Sequence, residues 1–170
     1  MEIAVFLRAV NLGSKNKVSM GELKAVLEKD GYTQVKTCLN SGNLTMFSQN
    51  GISEDEHFIQ RLILEKFGID IDVFAVSIDE LRHKIRQELF GELTLNQVAY
   101  VVFLREEIAL EVPCDLQHIH ILALDSTLLY CIGTMNLDHT SFPNALLEKK
   151  FKVRCTSRNL NTLKKMLAAS

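Results

Sequence analysis

Apolar and polar residues recur in this chain with two periods, two and 3.6, and the switches between them mark out the elements. Ile3, Val5 and Leu7 fall on one face of a short run and Ala4 and Phe6 on the other, the pattern of a central strand covered on both sides. Leu23, Val26 and Leu27 then follow at helical spacing. Ser19 and Glu22 make a capping box and Asp30-Gly31 a stop, which predicts a helix over about residues 19–30. Val35, Thr37 and Leu39 alternate with Lys36, Cys38 and Asn40, the chain turns at Asn40-Ser41-Gly42-Asn43, and 44–47 return as the second arm of a hairpin. Ser53 and Glu56 form a second capping box ahead of Phe58, Ile59, Leu62, Ile63 and Phe67, a helical stripe closed by Gly68. Ile69, Ile71 and Val73, alternating with Asp70 and Asp72, predict a strand.

The resulting order, β-α-β-β-α-β, is ferredoxin-like: two split β-α-β units sharing an antiparallel sheet, with both helices on one face. The second half repeats it less regularly. Strands are predicted over 98–104, 119–124, 128–132 and 151–155, a helix over 142–150, and a last helix over 159–168, while 105–115 is broken by Pro113. Ser77-Ile78-Asp79-Glu80 opens a helix running to about Leu89. The expected architecture is therefore α+β, with two ferredoxin-like pseudo-repeat lobes over 1–77 and 97–170 joined by a connecting helix and linker over 78–96. No residue-level repeat accompanies it.

Composition adds limits. At 170 residues the chain can bury a core without disulfides or metals, and 47% hydrophobic with 24% charged residues is ordinary for a globular protein. The first residues lack a basic segment and a small-residue cleavage site, and no apolar run is long enough to span a membrane, so a cytoplasmic protein is expected. Cys38, Cys114, Cys131 and Cys155 form no C-x-x-C pair and are read as thiols in a reducing compartment. Charge is uneven. Lys and Arg number six against four acids over 1–47, six against seventeen over 48–148, and seven against none over 149–170. The acidic middle argues against a general nucleic-acid wrapper but leaves room for a local anion site.

That site is expected in the loop Arg8 to Lys17, which carries three cations and no acid between a strand and a helix N-terminus. A helix start with unpaired amides and flanking cations suits an anion. The G-x-x-x-x-G-K-[ST] phosphate loop is absent, however, and a solvated connection is the plain alternative. Asn40 to Asn43 is expected near the start of strand one, away from this loop, and serves as well as an ordinary hairpin turn. Arg158 is placed in the first turn of the last helix, capped by Thr156 or Ser157. A cation there opposes the helix dipole, which hints at an anionic partner.

The residues Arg8-Ala-Val-Asn-Leu-Gly, Lys15-Asn-Lys-Val, Met20-x-x-Leu23, Ser41-Gly-Asn43, Asn144-x-Leu-Leu-Glu-Lys149 and Arg158-Asn-x-Asn-Thr162 occur in an order that resembles the bacterial DUF1697 family of uncharacterised proteins. The resemblance spans nearly the whole chain. It departs from the family pattern at Asn40, where Gln is usual, and at Leu160, where Trp is usual. What it implies is a two-lobed α+β protein without an established activity, with Arg8, Asn11, Lys15, Lys17, Ser41, Gly42, Asn43, Arg158, Asn159 and Asn161 as motif positions.

Other candidates are weaker. His118 and His120 share a strand face without a third ligand, so no metal site is expected. Asp70 and Asp72 read as a solvated strand face, and Cys38 as an inert strand residue. G-x-S-x-G, H-E-x-x-H and G-x-G-x-x-G are absent, and no cofactor is expected. The expected ligand-binding set is Arg8, Asn11, Lys15, Lys17, Ser41, Asn43, Arg158, Asn159 and Asn161, for a phosphate-bearing small molecule or single-stranded nucleic acid. The spaced aromatics of an RNA-binding sheet are missing. An enzyme acting on a small anionic substrate, and a structural or interaction protein without a ligand, are the alternatives; whether the chain is an enzyme, and its oligomeric state, stay open.

Overall fold

β1, Glu2–Leu7, is the strand around which the first sheet is built: in the computed structural model, which describes residues 1–170, it pairs antiparallel with two neighbours. α1 (Met20–Lys29), β2 (Thr33–Cys38), β3 (Asn43–Phe47), α2 (Ile52–Phe67), β4 (Val73–Ser77) and α3 (Ile78–Lys84) follow, and the sheet order is β2-β3-β1-β4. Ile3, Val5 and Leu7 of β1 pack with Leu23 and Leu27 of α1 and Ile59 and Ile63 of α2 in one apolar cluster. Burial of each such side chain contributes about 1.5–3 kcal/mol.

Local chemistry explains where the helices begin and end. Ser19 Oγ accepts from Glu22 N (3.3 Å) at the start of α1. At its end Tyr32 N donates to Leu27 O (3.1 Å) and Gly31 N to Glu28 O (3.3 Å), a Schellman closure that needs the positive φ of Gly31. The expected capping box of Ser53 and Glu56 does not form. α2 starts two residues earlier on Gly51, whose N–H donates to Glu54 Oε2 (3.1 Å), because a second pairing at the same spacing, Gly51 with Glu54, competes and wins. Glu56 is thereby left to reach across to β4, where its Oε1 accepts from Ala75 N (2.7 Å) on an edge strand.

The strand expected at 69–73 lies four residues further on. Pairing with β1, from Ile3 opposite Ser77 to Leu7 opposite Val73, sets its register, and the alternating 69–72 segment is the connection that leads into it.

The second unit contains a 3₁₀ turn (Gln87–Phe90), β5 (Gln97–Leu104), β6 (Cys114–Leu116), β7 (Ile119–Asp125), β8 (Leu128–Thr134), α4 (Asn144–Phe151), β9 (Cys155–Asn159) and the start of α5 (Leu160–Ala169). Its sheet order is β6-β7-β8-β5-β9, antiparallel throughout. Its core joins Tyr100, Val102, Leu129, Cys131, Leu147 and Cys155. No helix stands between β5 and β7; the edge strand β6 takes that place in the chain. The strand expected at 151–155 runs instead over 155–159, since α4 continues through Phe151 and Lys152 closes it with a positive φ.

By their contacts the two units are Met1–Ile85 with Lys164–Ser170, and Arg86–Leu163. The segment 78–96, read from sequence as one connection, is thus shared between them, and the last turns of α5 group with the first unit. The four cysteines are thiols, Cys131 and Cys155 buried. No helix is long and apolar enough to cross a membrane.

Candidate functional site

The loop between β1 and α1 is tied down at its base. Leu7 N donates to Gly42 O (2.8 Å) and Arg8 N to Asp72 O (3.0 Å). Buried Val10 and Val18 anchor its two limbs. Between them the Asn11 carboxamide imitates a strand partner: Nδ2 donates to Val18 O (2.9 Å) and Oδ1 accepts from Val18 N (2.9 Å). Nδ2 also donates to Asn40 O (2.8 Å), 29 residues along the chain, so one side chain closes the loop and fastens it to the hairpin turn. Asn11 N donates to Asn16 O (2.9 Å), and Asn16 Nδ2 to Ala9 O (3.1 Å). Ala9, Asn11, Gly13 and Asn16 all have positive φ, a conformation asparagine and glycine tolerate and alanine resists.

The hairpin turn lies at the end of β1, not near its start as the sequence reading places it. In the antiparallel pair, Phe6 stands opposite Asn43, so the first residue of β3 meets the last residues of β1. Asn43 is fully buried, and its Nδ2 donates to Cys38 O (3.1 Å) and Ser41 Oγ (2.9 Å). Gly42, at φ 78°, sits where a Cβ would come within 2.5 Å of Val10 Cγ2 and 2.8 Å of Leu7 Cβ. Loop and turn are one packed structure.

The expected site residues therefore divide. Asn11 and Asn43 spend their amides on the backbone and build the site, and the Ser41 hydroxyl accepts from Asn43. Arg8 is partly covered and pairs with Asp72 (3.7 Å). Lys15 and Lys17 are exposed and carry no ion pair. The partners that sequence reading missed are Asn40, through its carbonyl, and Asp72, which was read as a solvated strand residue. Only the cationic partner of Asp72 distinguishes it, and that is a tertiary contact.

Arg158, Asn159 and Asn161 belong to the second unit. Arg158 lies on β9 opposite Val101, not in a helical turn, so the expected conflict with a helix dipole does not arise. Its Nη1 donates to Thr156 Oγ1 (2.9 Å) and Ser157 O (2.8 Å). Burial draws the guanidinium down to about 10, which leaves it charged at neutral pH. Neither Thr156 nor Ser157 caps the last helix. Asn159 does, accepting on Oδ1 from Asn161 N (2.8 Å), and Asn161 is exposed in the first turn.

The weaker candidates separate as well. His120 Nδ1 lies 2.6 Å from Asp115 Oδ1, whereas His118 precedes β7 and stacks on His139 at 4.0 Å between ring centroids. Asp70 accepts from Gln60 (3.3 Å), away from the Asp72 pair with Arg8. No three His, Cys, Asp or Glu side chains converge to hold a metal ion.

Two antiparallel sheets with five helices, with a braced cationic loop at one end of the first sheet, define a mixed α+β protein. A family model described as protein of unknown function (DUF1697) matches residues 1–122, and the chain belongs to that family. The solved structure of the conserved bacterial protein SP0830 from Streptococcus pneumoniae resembles it with a TM-score of 0.71 at 20% identity, covering 98% of this chain and 97% of that one. At that identity the likeness concerns the fold alone. No curated protein matches.

Proposed function

We propose that this protein binds a phosphate-bearing small molecule through the Arg8–Lys17 loop, with Lys15 and Lys17 as the anion-contacting side chains and Arg8 at the base. The observation that carries this reading is the bracing of the loop by Asn11. It holds two exposed, unpaired lysines beside the start of α1 on a backbone already fixed, so little backbone ordering remains to oppose binding. Charge-assisted hydrogen bonds contribute about 1.5–3 kcal/mol each, so three of them supply about 4.5–9 kcal/mol, a range from roughly millimolar to micromolar affinity. Arg158 and Asn159 lie in the other unit and are not needed for this reading.

On the same footing we read both units as variants of the ferredoxin-like order. The sheet order β2-β3-β1-β4 supports this for the first unit. In the second, β7-β8-β5-β9 is the equivalent order, with β6 added at the sheet edge and standing in the chain between β5 and β7, where the first helix would come.

The test is calorimetric titration with inorganic phosphate, nucleotides and sugar phosphates, for the wild type and for Lys15→Ala/Lys17→Ala. Micromolar binding weakened at least about tenfold in the double variant, roughly 1.4 kcal/mol, supports the reading. Binding unchanged by the substitutions, or no binding, overturns it. A single-stranded oligonucleotide as the true ligand is recognised by log affinity falling with log salt at about −0.7 per phosphate neutralised.

A further inference from the structure

The segment between β8 and α4, residues 135–143, leaves the sheet and returns onto it. The return is close: a Cβ on Gly133 would lie 1.9 Å from Ser141 O, so only glycine lets the Ser141 backbone settle on β8. Buried Ser141 shares a 2.7 Å hydrogen bond with the Tyr100 hydroxyl on β5, and the Phe142 ring lies 5.7 Å from that of Tyr100. Within the segment Asn136 Oδ1 accepts from Asp138 N (2.8 Å) and His139 N (3.0 Å), which holds His139 in place. His139 in turn stacks on His118 with the rings 17° from parallel. His118 Nε2 is buried without a hydrogen-bond partner.

We propose that residues 135–143 are a strap held on β5 and β8, that the stacked His118–His139 pair is its latch, and that acidification releases it. A neutral His118 keeps its unpartnered Nε2 as a lone pair at small cost. The imidazolium would place an N–H there with no acceptor and bring a second cation face to face with His139 when both are charged. Burial and His139 both lower the His118 proton affinity, opposed by a hydrogen bond with the Phe142 backbone. Among the groups on the surrounding elements, His120 is engaged with Asp115 on β6 and β7. Tyr100 on β5 and Cys131 on β8 are pushed up by burial and stay neutral in the range concerned, and Asp138 lies in the strap itself. His139 is the charge that acts on His118.

The direction follows from linkage. A histidine whose proton affinity is lowered in the closed state stabilises closure fully above about pH 6.5, and this contribution is lost as pH falls below that value, the opening constant rising by up to about tenfold per pH unit. The test is hydrogen exchange by mass spectrometry on the intact protein near pH 5 and pH 7.5, corrected for intrinsic exchange, with β8 as the internal reference. The expected result is loss of protection at 135–143 on acidification while β8 stays protected. His118→Phe and His139→Phe each keep a stacking ring and flatten the pH dependence. Gly133→Ala unseats the strap and lowers its protection at both pH values. Equal protection of the wild-type segment at the two pH values, loss of β8 protection in parallel, or a wild-type pH response in His118→Phe overturns the proposal.

Discussion

Replacing Gly42 by alanine tests whether the hairpin turn and the cationic loop are one packed structure. Two costs add. Alanine at φ 78° loses roughly 1–2 kcal/mol to backbone strain. Its methyl would meet Val10 Cγ2 at 2.5 Å and Leu7 Cβ at 2.8 Å, contacts that force the neighbours aside at about 1–3 kcal/mol. The total is about 2–5 kcal/mol. Gly13→Ala is the control, because Gly13 also has positive φ (57°) but nothing lies within 4 Å of its would-be Cβ, so it should show only the backbone cost. Urea denaturation of the three proteins measures the difference, with the slope required to stay constant. Val10→Ala combined with Gly42→Ala should be less destabilising than the sum of the single changes, since the first contact is removed. A Gly42→Ala protein within about 0.5 kcal/mol of Gly13→Ala would refute the claim that turn and loop are packed together.

Three further outcomes are expected. Tyr32→Phe removes the 2.7 Å hydrogen bond to the fully buried Asp55, leaving Asn50 at 3.2 Å as the remaining side-chain donor to that carboxylate, and should cost about 1–3 kcal/mol in denaturant melts. Burial, and then Asp55, also raise the Tyr32 phenol above its ordinary value, so its stabilising contribution is present below about pH 10 and lost as pH rises beyond it; absorbance titration at alkaline pH should find Tyr32, together with the buried Tyr100, ionising late or only on unfolding. Cys38, Cys114, Cys131 and Cys155 should all react with a thiol reagent in freshly unfolded, unreduced protein, and a mass two hydrogens short would contradict this.

How far these features could be read from sequence depends on the distance over which each is determined. β1, α1 and the hairpin were legible because alternation, a serine cap and a glycine stop act within a few residues. β4 and β9 were misplaced by about four residues because their bounds are set by pairing with β1 and β5, and apolar alternation in 69–73 carries no record of that register. The same limit governs Arg158. Its polar neighbours Thr156, Ser157 and Asn159 look like a helix start, yet β5 holds them as a strand through Asn159. The loop was legible as a concentration of cations but not as an object, since its principal tie joins Asn11 to a carbonyl 29 residues away.

That tie also decides how the loop residues should respond to substitution. Asn11 makes two donor bonds and one acceptor bond to the backbone, so its role is carried by the amide and not by size. Asn11→Asp keeps the acceptor for Val18 N but turns a carboxylate oxygen toward Val18 O and Asn40 O, two carbonyls that need donors. Asn11→Ala deletes all three bonds, admits water to a half-exposed position and places alanine at φ 55°, at a further cost of roughly 1–2 kcal/mol. The aspartate should therefore destabilise by about 1–3 kcal/mol although it is the closer analogue in shape and tolerates the positive φ. If Asn11 were instead a ligand contact, Asn11→Asp would melt like the wild type and differ only in binding. Hydrogen exchange at the Val18 amide separates the cases: faster exchange in Asn11→Ala, with retention in Asn11→Asp where its acceptor survives, identifies a brace, and wild-type exchange in both rejects it.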